Sequence, residues 1–165
     1  MLKQASLDRI EIEAAKYPSD KRASSVMAAL TIAQQEKGHL SRDLIAYIAG
    51  IVGVPVMRAQ EVATFYSMYE HQPCGETQIK VCTNISCKLR GSDEIVAKLE
   101  AKLGIKLGQV SEDGKVGLKE VECLAACVGA PMLQVNNKDY IEHLTPEKID
   151  SLIDELGLGR RGVRS

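Results

Sequence analysis

The sequence predicts an α+β protein, an N-terminal helical bundle followed by a smaller domain of order β-α-β-β-β-α. Three observations carry this reading. Residues 6–69 place apolar side chains at helical spacing between the breaks Pro18, Gly38, Gly53 and Pro55. Beyond residue 76 the texture changes to short alternating runs separated by turn residues. Four cysteines, in two close pairs, each follow a predicted strand. The expected organisation is a helical domain over 1–70, a mixed domain over 71–158 and a flexible basic tail over 159–165.

The first helix is expected from a cap at Ser6 to Tyr17, where Pro18 ends it. A second opens at Ser19-Asp20, carries Val26, Leu30 and Ala33 on one face, and stops at Gly38. Ser41 caps a third, with Leu44, Ile45, Ile48 and Val52 at helical spacing and Gly53 closing it. Pro55 starts a fourth that runs to Tyr69 and gathers Phe65, Tyr66 and Tyr69. An aromatic cluster of this kind packs into a core, offers a docking surface to another protein of an assembly, or does both.

Residues 70–75 read as a linker. Gln78 to Cys82 alternates Ile79 and Val81, a strand that delivers Cys82 at its end. Asp93 to Leu103 is a helix with Ile95, Val96, Leu99 and Leu103 inward, stopped by Gly104. Val116 to Glu122 is a strand with Cys123 just beyond it, and Met132 to Val135 is another. Asn136-Asn137 turns the chain so that Tyr140-Ile141 pairs back, and Thr145-Pro146-Glu147 caps a last helix bearing Ile149, Leu152, Ile153 and Leu156. Both cysteine pairs thus lie in loops after strands, where one end of a small sheet can unite them.

Cys82 and Cys87 form a C-x4-C pair, Cys123 and Cys127 a C-x3-C pair, and residues 88–122 separate them. Thiolates are the softest protein ligands, and two pairs can bind two sulfide-bridged irons or one tetrahedral zinc. Spacing favours iron and leaves zinc open, since zinc knuckles usually take C-x2-C. A Rieske centre needs two histidine ligands, and His39, His71 and His143 lie far from both pairs in sequence. Neither pair has the C-x-x-C spacing of a redox dithiol. Cys74 is surplus and reads as a free thiol.

A bridged two-iron cluster held by four thiolates is a dianion that reduction makes more negative. Backbone N–H groups aimed at sulfur and nearby cations ease that step. The small residues of 83–86 and 124–126 permit close backbone approach, and Lys80, Lys88 and Arg90 can supply charge, while Glu120 and Glu122 oppose it.

The remaining features mostly exclude functions. The chain has 21 basic and 22 acidic side chains, so it lacks the positive field that concentrates nucleic acid. No run approaches the ~20 apolar residues that span a bilayer, and Lys3 and Asp8 interrupt any leader core. A cytoplasmic location is expected, where cysteines serve as ligands or free thiols rather than disulfides. Residues 157–162 match G-x-G-x-x-G, but no helix can follow them, so they form no dinucleotide site. No catalytic triad, phosphate loop or acid/base pair is present, and no catalytic residue is assigned.

Several stretches together resemble the thioredoxin-like [2Fe–2S] ferredoxin family that supplies the E-type subunit of bacterial NADH-quinone oxidoreductase (complex I). They are Tyr17-Pro18 with Lys21-Arg22, Glu61-Val62-Ala63-Thr64-Phe65-Tyr66, Val81-Cys82-Thr83-Asn84 through Cys87 to Leu89-Arg90-Gly91, Glu122-Cys123-Leu124 with Cys127, Ala130-Pro131, and His143-Leu144-Thr145-Pro146-Glu147. The resemblance implies a thioredoxin-like domain in which Cys82 and Cys87 hold one iron of a single [2Fe–2S] cluster and Cys123 and Cys127 the other. It implies electron exchange with the FMN of an F-type flavoprotein partner that binds NADH, among neighbouring peripheral-arm proteins. It also implies a place peripheral to the inner membrane. Related chains serve NAD-linked hydrogenases and formate dehydrogenases. The chain departs from the family at Ala125, where glycine is usual and a methyl group is expected to shift the loop, and at His39, where an aromatic is common.

Overall fold

The computed structural model describes residues 1–158; the tail expected over 159–165 lies outside the described residues. The chain divides into two compact units, Met1–Pro73 and Cys74–Ser165.

The first unit consists of α1 (Gln4–Ala14), a 3-10 turn (Ser19–Ser25), α2 (Val26–Lys37), α3 (Arg42–Val52) and α4 (Val56–Phe65). Ile10, Leu30, Ile45, Ile48 and Ala59 meet in its core with no exposed surface. Ser41 caps α3 by accepting from Leu44 N at 3.2 Å, and Gly53 ends that helix in the left-handed conformation.

Three expectations are corrected here. Lys3, not Ser6, stands at the N-cap of α1. Ser6 lies buried inside the helix on the side of Glu36 of α2, whose carboxylate accepts from Lys3 N at 3.2 and 3.0 Å. The second helix begins only at Val26, the preceding residues winding as the 3-10 turn. The fourth helix stops at Phe65, not Tyr69, and this splits the aromatic cluster. Tyr69 turns inward, 4% exposed, donating to Met27 O at 2.9 Å and contacting Thr31 Oγ1 at 3.3 Å. Phe65, 81% exposed, and Tyr66 stay outside, ring against ring edge with centroids 5.0 Å apart.

The second unit is a five-stranded mixed sheet with helices α6 (Ser92–Leu103) and α7 (Pro146–Glu155), preceded by a short α5 (Ile85–Leu89). Its strands are β1 (Thr77–Cys82), β2 (Gln109–Val110), β3 (Val116–Val121), β4 (Leu133–Val135) and β5 (Asp139–Ile141), in spatial order β2-β3-β1-β4-β5. Alternation places Ile79, Val81, Val116, Leu118, Leu133 and Val135 in one core with Ile95 and Leu99 of α6 and Ile149 and Ile153 of α7. Asp150 ties the two helices together through Lys98 at 3.0 Å and Lys102 at 2.9 Å. Asn136 and Asn137 both adopt positive φ, as a two-residue hairpin turn requires, and Thr145 caps α7 by accepting from Lys148 N at 3.2 Å.

Two elements of this unit have no counterpart in the sequence reading, the two-residue strand β2 and the five-residue helix α5. Both are too short to show a period. The observed order is therefore β-α-α-β-β-β-β-α rather than β-α-β-β-β-α.

One pairing positions everything that follows. β1 and β3 are parallel, with Thr77 opposite Val116 and Cys82 opposite Val121, so both strands end at the same edge. The segment entering β1 crosses β3 where a side chain would not fit: a Cβ on Gly117 would collide with the Cys74 carbonyl, and one on Gly75 would lie 2.6 Å from Gly117 N.

Hydrogen bonds from Ser6 and then Lys37 lower the Glu36 carboxyl from the ordinary 4.5 to about 2. A depressed carboxyl contributes stability at neutral pH that is lost as pH falls through the folded value. Glu36→Gln is expected to lower the unfolding midpoint at pH 7, with the difference from wild type shrinking below about pH 4.5 and vanishing near pH 2 in denaturation curves taken across that range.

Candidate metal centre

Cys82 is the last residue of β1, and Cys123 comes two residues after β3 ends at Val121. Parallel pairing carries both chains out of the sheet on the same side. The first then winds into α5, whose third residue is Cys87. The second loops back through Cys127, which opens a 3-10 turn (Cys127–Gly129), and through the cis Ala130–Pro131 peptide to Met132 and β4. Met132 closes the arrangement, its carbonyl accepting from Cys82 N at 3.2 Å and its N–H donating to Cys87 Sγ.

The sulfurs form two pairs. Cys82 and Cys87 are hydrogen-bonded through their side chains, and Cys123 Sγ lies 3.4 Å from Cys127 Sγ. Cys127 also senses the charge of Cys82, and Cys87 that of Cys127, so the pairs face each other. None of the five cysteines forms a disulfide, and among the described residues no three histidine, cysteine or acidic side chains converge on a single ion. Two facing thiol pairs are the donor set a bridged two-iron group takes.

The pairs differ in environment. Cys82 and Cys87 are buried among Ala130 and Met132, whereas Cys123 and Cys127 are exposed. Burial first, then the bond from Cys82, pushes the Cys87 thiol up to about 11. The neighbouring Cys123 thiol raises Cys127.

Three further bonds tie the segment after Cys82 to the end of β3 and the residue before Cys123. Thr83 N donates to Val121 O at 3.1 Å, Thr83 Oγ1 to Glu120 Oε2 at 3.3 Å, and Asn84 Nδ2 to Glu122 Oε2 at 3.1 Å. The two glutamates expected to oppose the cluster are thereby occupied in holding the loops together. Lys88, expected to supply charge, faces Asp93 at 3.5 Å.

Ala125 takes up the backbone conformation that glycine adopts freely. Its methyl group does not forbid positive φ; the residue sits at φ 61°, and its N–H donates to Cys123 Sγ at 3.3 Å. Holding a non-glycine residue there costs on the order of 1–2 kcal/mol. His39 is half-buried in the first unit, and His71 and His143 are exposed. Cys74 accepts from Gln78 Nε2 at 2.8 Å. Gln78 stands in β1 well before Cys82, and at about 3.3 Å per residue the two are on the order of 13 Å apart, which leaves Cys74 out of the centre. Sequence reasoning singled out the segments 83–86 and 124–126 but missed the bracing side chain of Asn84 and the N–H of Met132. Small residues in the ligand loops signalled close approach without saying which atom would face which sulfur.

The family model for thioredoxin-like [2Fe–2S] ferredoxins matches residues 10–157. This chain belongs to the thioredoxin-like [2Fe–2S] ferredoxin family. It is 47% identical over 86% of its length to the E-type subunit of NADH-quinone oxidoreductase from Rickettsia bellii, covering 84% of that protein. It is 40% identical over 93% of its length to an E-type subunit of the same enzyme from Rhizobium meliloti, covering 90% of it. Its fold is similar to part of an NAD+-reducing [NiFe]-hydrogenase, with a TM-score of 0.66 and 21% identity over 78% of this chain and 22% of the hydrogenase chain. The family carries one [2Fe–2S] cluster, which decides against structural zinc and fits the two facing thiol pairs.

The difference in burial has a direct readout. In metal-free protein at pH 8, an alkylating reagent followed by peptide mass mapping is expected to label Cys123 and Cys127 well before Cys82 and Cys87. Equal rates at all four would contradict the burial described.

Proposed function

We propose that this chain is the electron-transfer component of a bacterial respiratory NADH-quinone oxidoreductase, complex I, and that Cys82 with Cys87 and Cys123 with Cys127 each hold one iron of its single cluster. The observation that carries the proposal is the convergence of the two pairs at one sheet edge in a chain close to half identical to E-type subunits of that enzyme. When bound, the group supplies reversible one-electron transfer. The chain's own residues do the rest. β1 and β3 orient the ligands, Ala130 and Met132 pack against the buried pair, and N–H donors meet the sulfurs.

The protein is a component of an oxidoreductase complex and turns over no substrate by itself. Hydride chemistry belongs to the neighbouring F-type flavoprotein, which binds FMN and NADH and exchanges electrons with this chain among the peripheral-arm proteins. The helical domain over 1–70 holds the chain on those partners, its exposed Phe65 and Tyr66 being suited to such a contact. Among the described residues no single helix is long and apolar enough to cross a membrane. Attachment at the cytoplasmic side of the inner membrane is through the complex.

A second reading, the equivalent component of an NAD-linked hydrogenase or formate dehydrogenase, has the hydrogenase fold likeness behind it. The curated relatives weigh toward complex I.

Two experiments test these assignments. Gentle anaerobic isolation from its own cells is expected to recover the chain with an FMN-containing partner; recovery as a free monomer, or with a hydrogenase, would overturn the complex I assignment. Cys74→Ser is expected to retain the full cluster spectrum and Cys123→Ser to lose most of it. Retained iron and sulfide in the second variant would refute the ligand set.

A further inference from the structure

The segment that follows β5, residues 142–144, lies along the loop that carries Cys127. His143 N donates to Gly129 O at 2.6 Å and Leu144 N to Pro131 O at 2.9 Å. The Glu142 side chain takes the space beside Gly129: a Cβ on residue 129 would collide with the Glu142 carboxylate and lie 2.7 Å from Glu142 Cβ. The carboxylate could swing aside, but the Cβ is fixed to the main chain. Gly129 is buried and is not among the residues at positive φ, so this position needs glycine for room rather than for backbone freedom. The segment is anchored behind. Lys148 Nζ of α7 donates to Glu142 O at 2.6 Å, and Leu144 is buried in one core with Ile149 and Ile153. His143 sits at φ 51°, a conformation a non-glycine residue keeps where its surroundings impose it. On the other side, Gly129 closes the turn that Cys127 opens, with Gly129 N donating to Ala126 O at 3.0 Å and Ala130 N to Cys127 O at 3.3 Å.

Resting on the ligand assignment proposed above, we infer that Glu142 and Gly129 are positioning residues of the metal centre: the Glu142 side chain, seated where Gly129 leaves room, clamps the turn that presents Cys127. The physical reason is general. A ligand on a loose loop loses conformational freedom each time it binds and lets go more readily, whereas one on a packed loop stands ready. Cys127 is exposed, so its own side chain has little packing to fix it, and control falls to the buried end of the same turn. The clamp works by shape. It depends on the sizes of the side chains at 129 and 142 and not on the charge of the carboxylate.

The test uses the full chain. In anaerobically loaded protein, iron and sulfide are counted and the rate at which an iron chelator removes the cluster is measured; in metal-free protein, hydrogen exchange is followed at the His143 and Leu144 amides. Gly129→Ala is expected to lose its cluster several-fold faster than wild type and to exchange faster at both amides. Adding Glu142→Gly, which returns the room, is expected to bring both rates back toward wild type, a relief that a merely destabilising change at 129 would not show. Where Gly129→Ala loads too little to measure, two single variants decide: Glu142→Gln, of the same shape, is expected to release its cluster as wild type does and Glu142→Ala several-fold faster. Wild-type rates in Gly129→Ala, a double variant no better than the single, or equal release from the glutamine and alanine variants would overturn the inference while leaving the cluster assignment intact. Wild-type protein lacking iron and sulfide would instead overturn that assignment, and this inference with it.

Discussion

The parallel pairing of β1 with β3 is the constraint on which the rest of this structure depends. Residues 88–122 separate the two cysteine pairs, and nothing local could bring them together. An antiparallel neighbour would carry the second pair to the opposite edge of the sheet. The crossover through α5 and α6 makes the strands run the same way, and the register sets Cys82 opposite Val121, within two residues of Cys123. Packing of α6 and α7 against these strands fixes that register, because a slip by one residue would turn Ile79, Val81, Val116 and Leu118 out of the core.

Around this edge the molecule accommodates charge in layers. The inner pair is buried against Ala130 and Met132 and the outer pair is open to solvent, a gradient suited to a centre that must exchange electrons at a surface yet keep its inner side dry. Main-chain N–H groups reach sulfur because the loops are built from small residues. Ala125 accepts an unfavourable φ to deliver one of them. Glu120 and Glu122 accept from Thr83 and Asn84, so two acidic side chains beside an anionic group become braces between the ligand segments.

Much of this was legible in the sequence. Long apolar periodicities, proline and glycine punctuation, the paired asparagines and the Thr145-Pro146 cap each located an element, because each is a local requirement of the backbone. What stayed hidden was decided by tertiary contact. Ser6 looked like a cap but lies buried on the side of Glu36 across the helix pair, and Tyr69 leaves the helix to bond Met27 and Thr31. The four cysteines proposed as ligands stood out by spacing and resemblance. Their donors did not, since α5 is too short to show a period and the positive φ of Ala125 is set by the loop rather than by the residue.

The central claim is that two thiol pairs, remote in sequence, share one pair of bridged irons at a common sheet edge. X-ray absorption at the iron edge of anaerobically prepared protein addresses it most directly. The account predicts iron surrounded by four sulfurs, together with an iron–iron scattering path. A sulfur-coordinated metal with no metal–metal path, or zinc in place of iron, would contradict it.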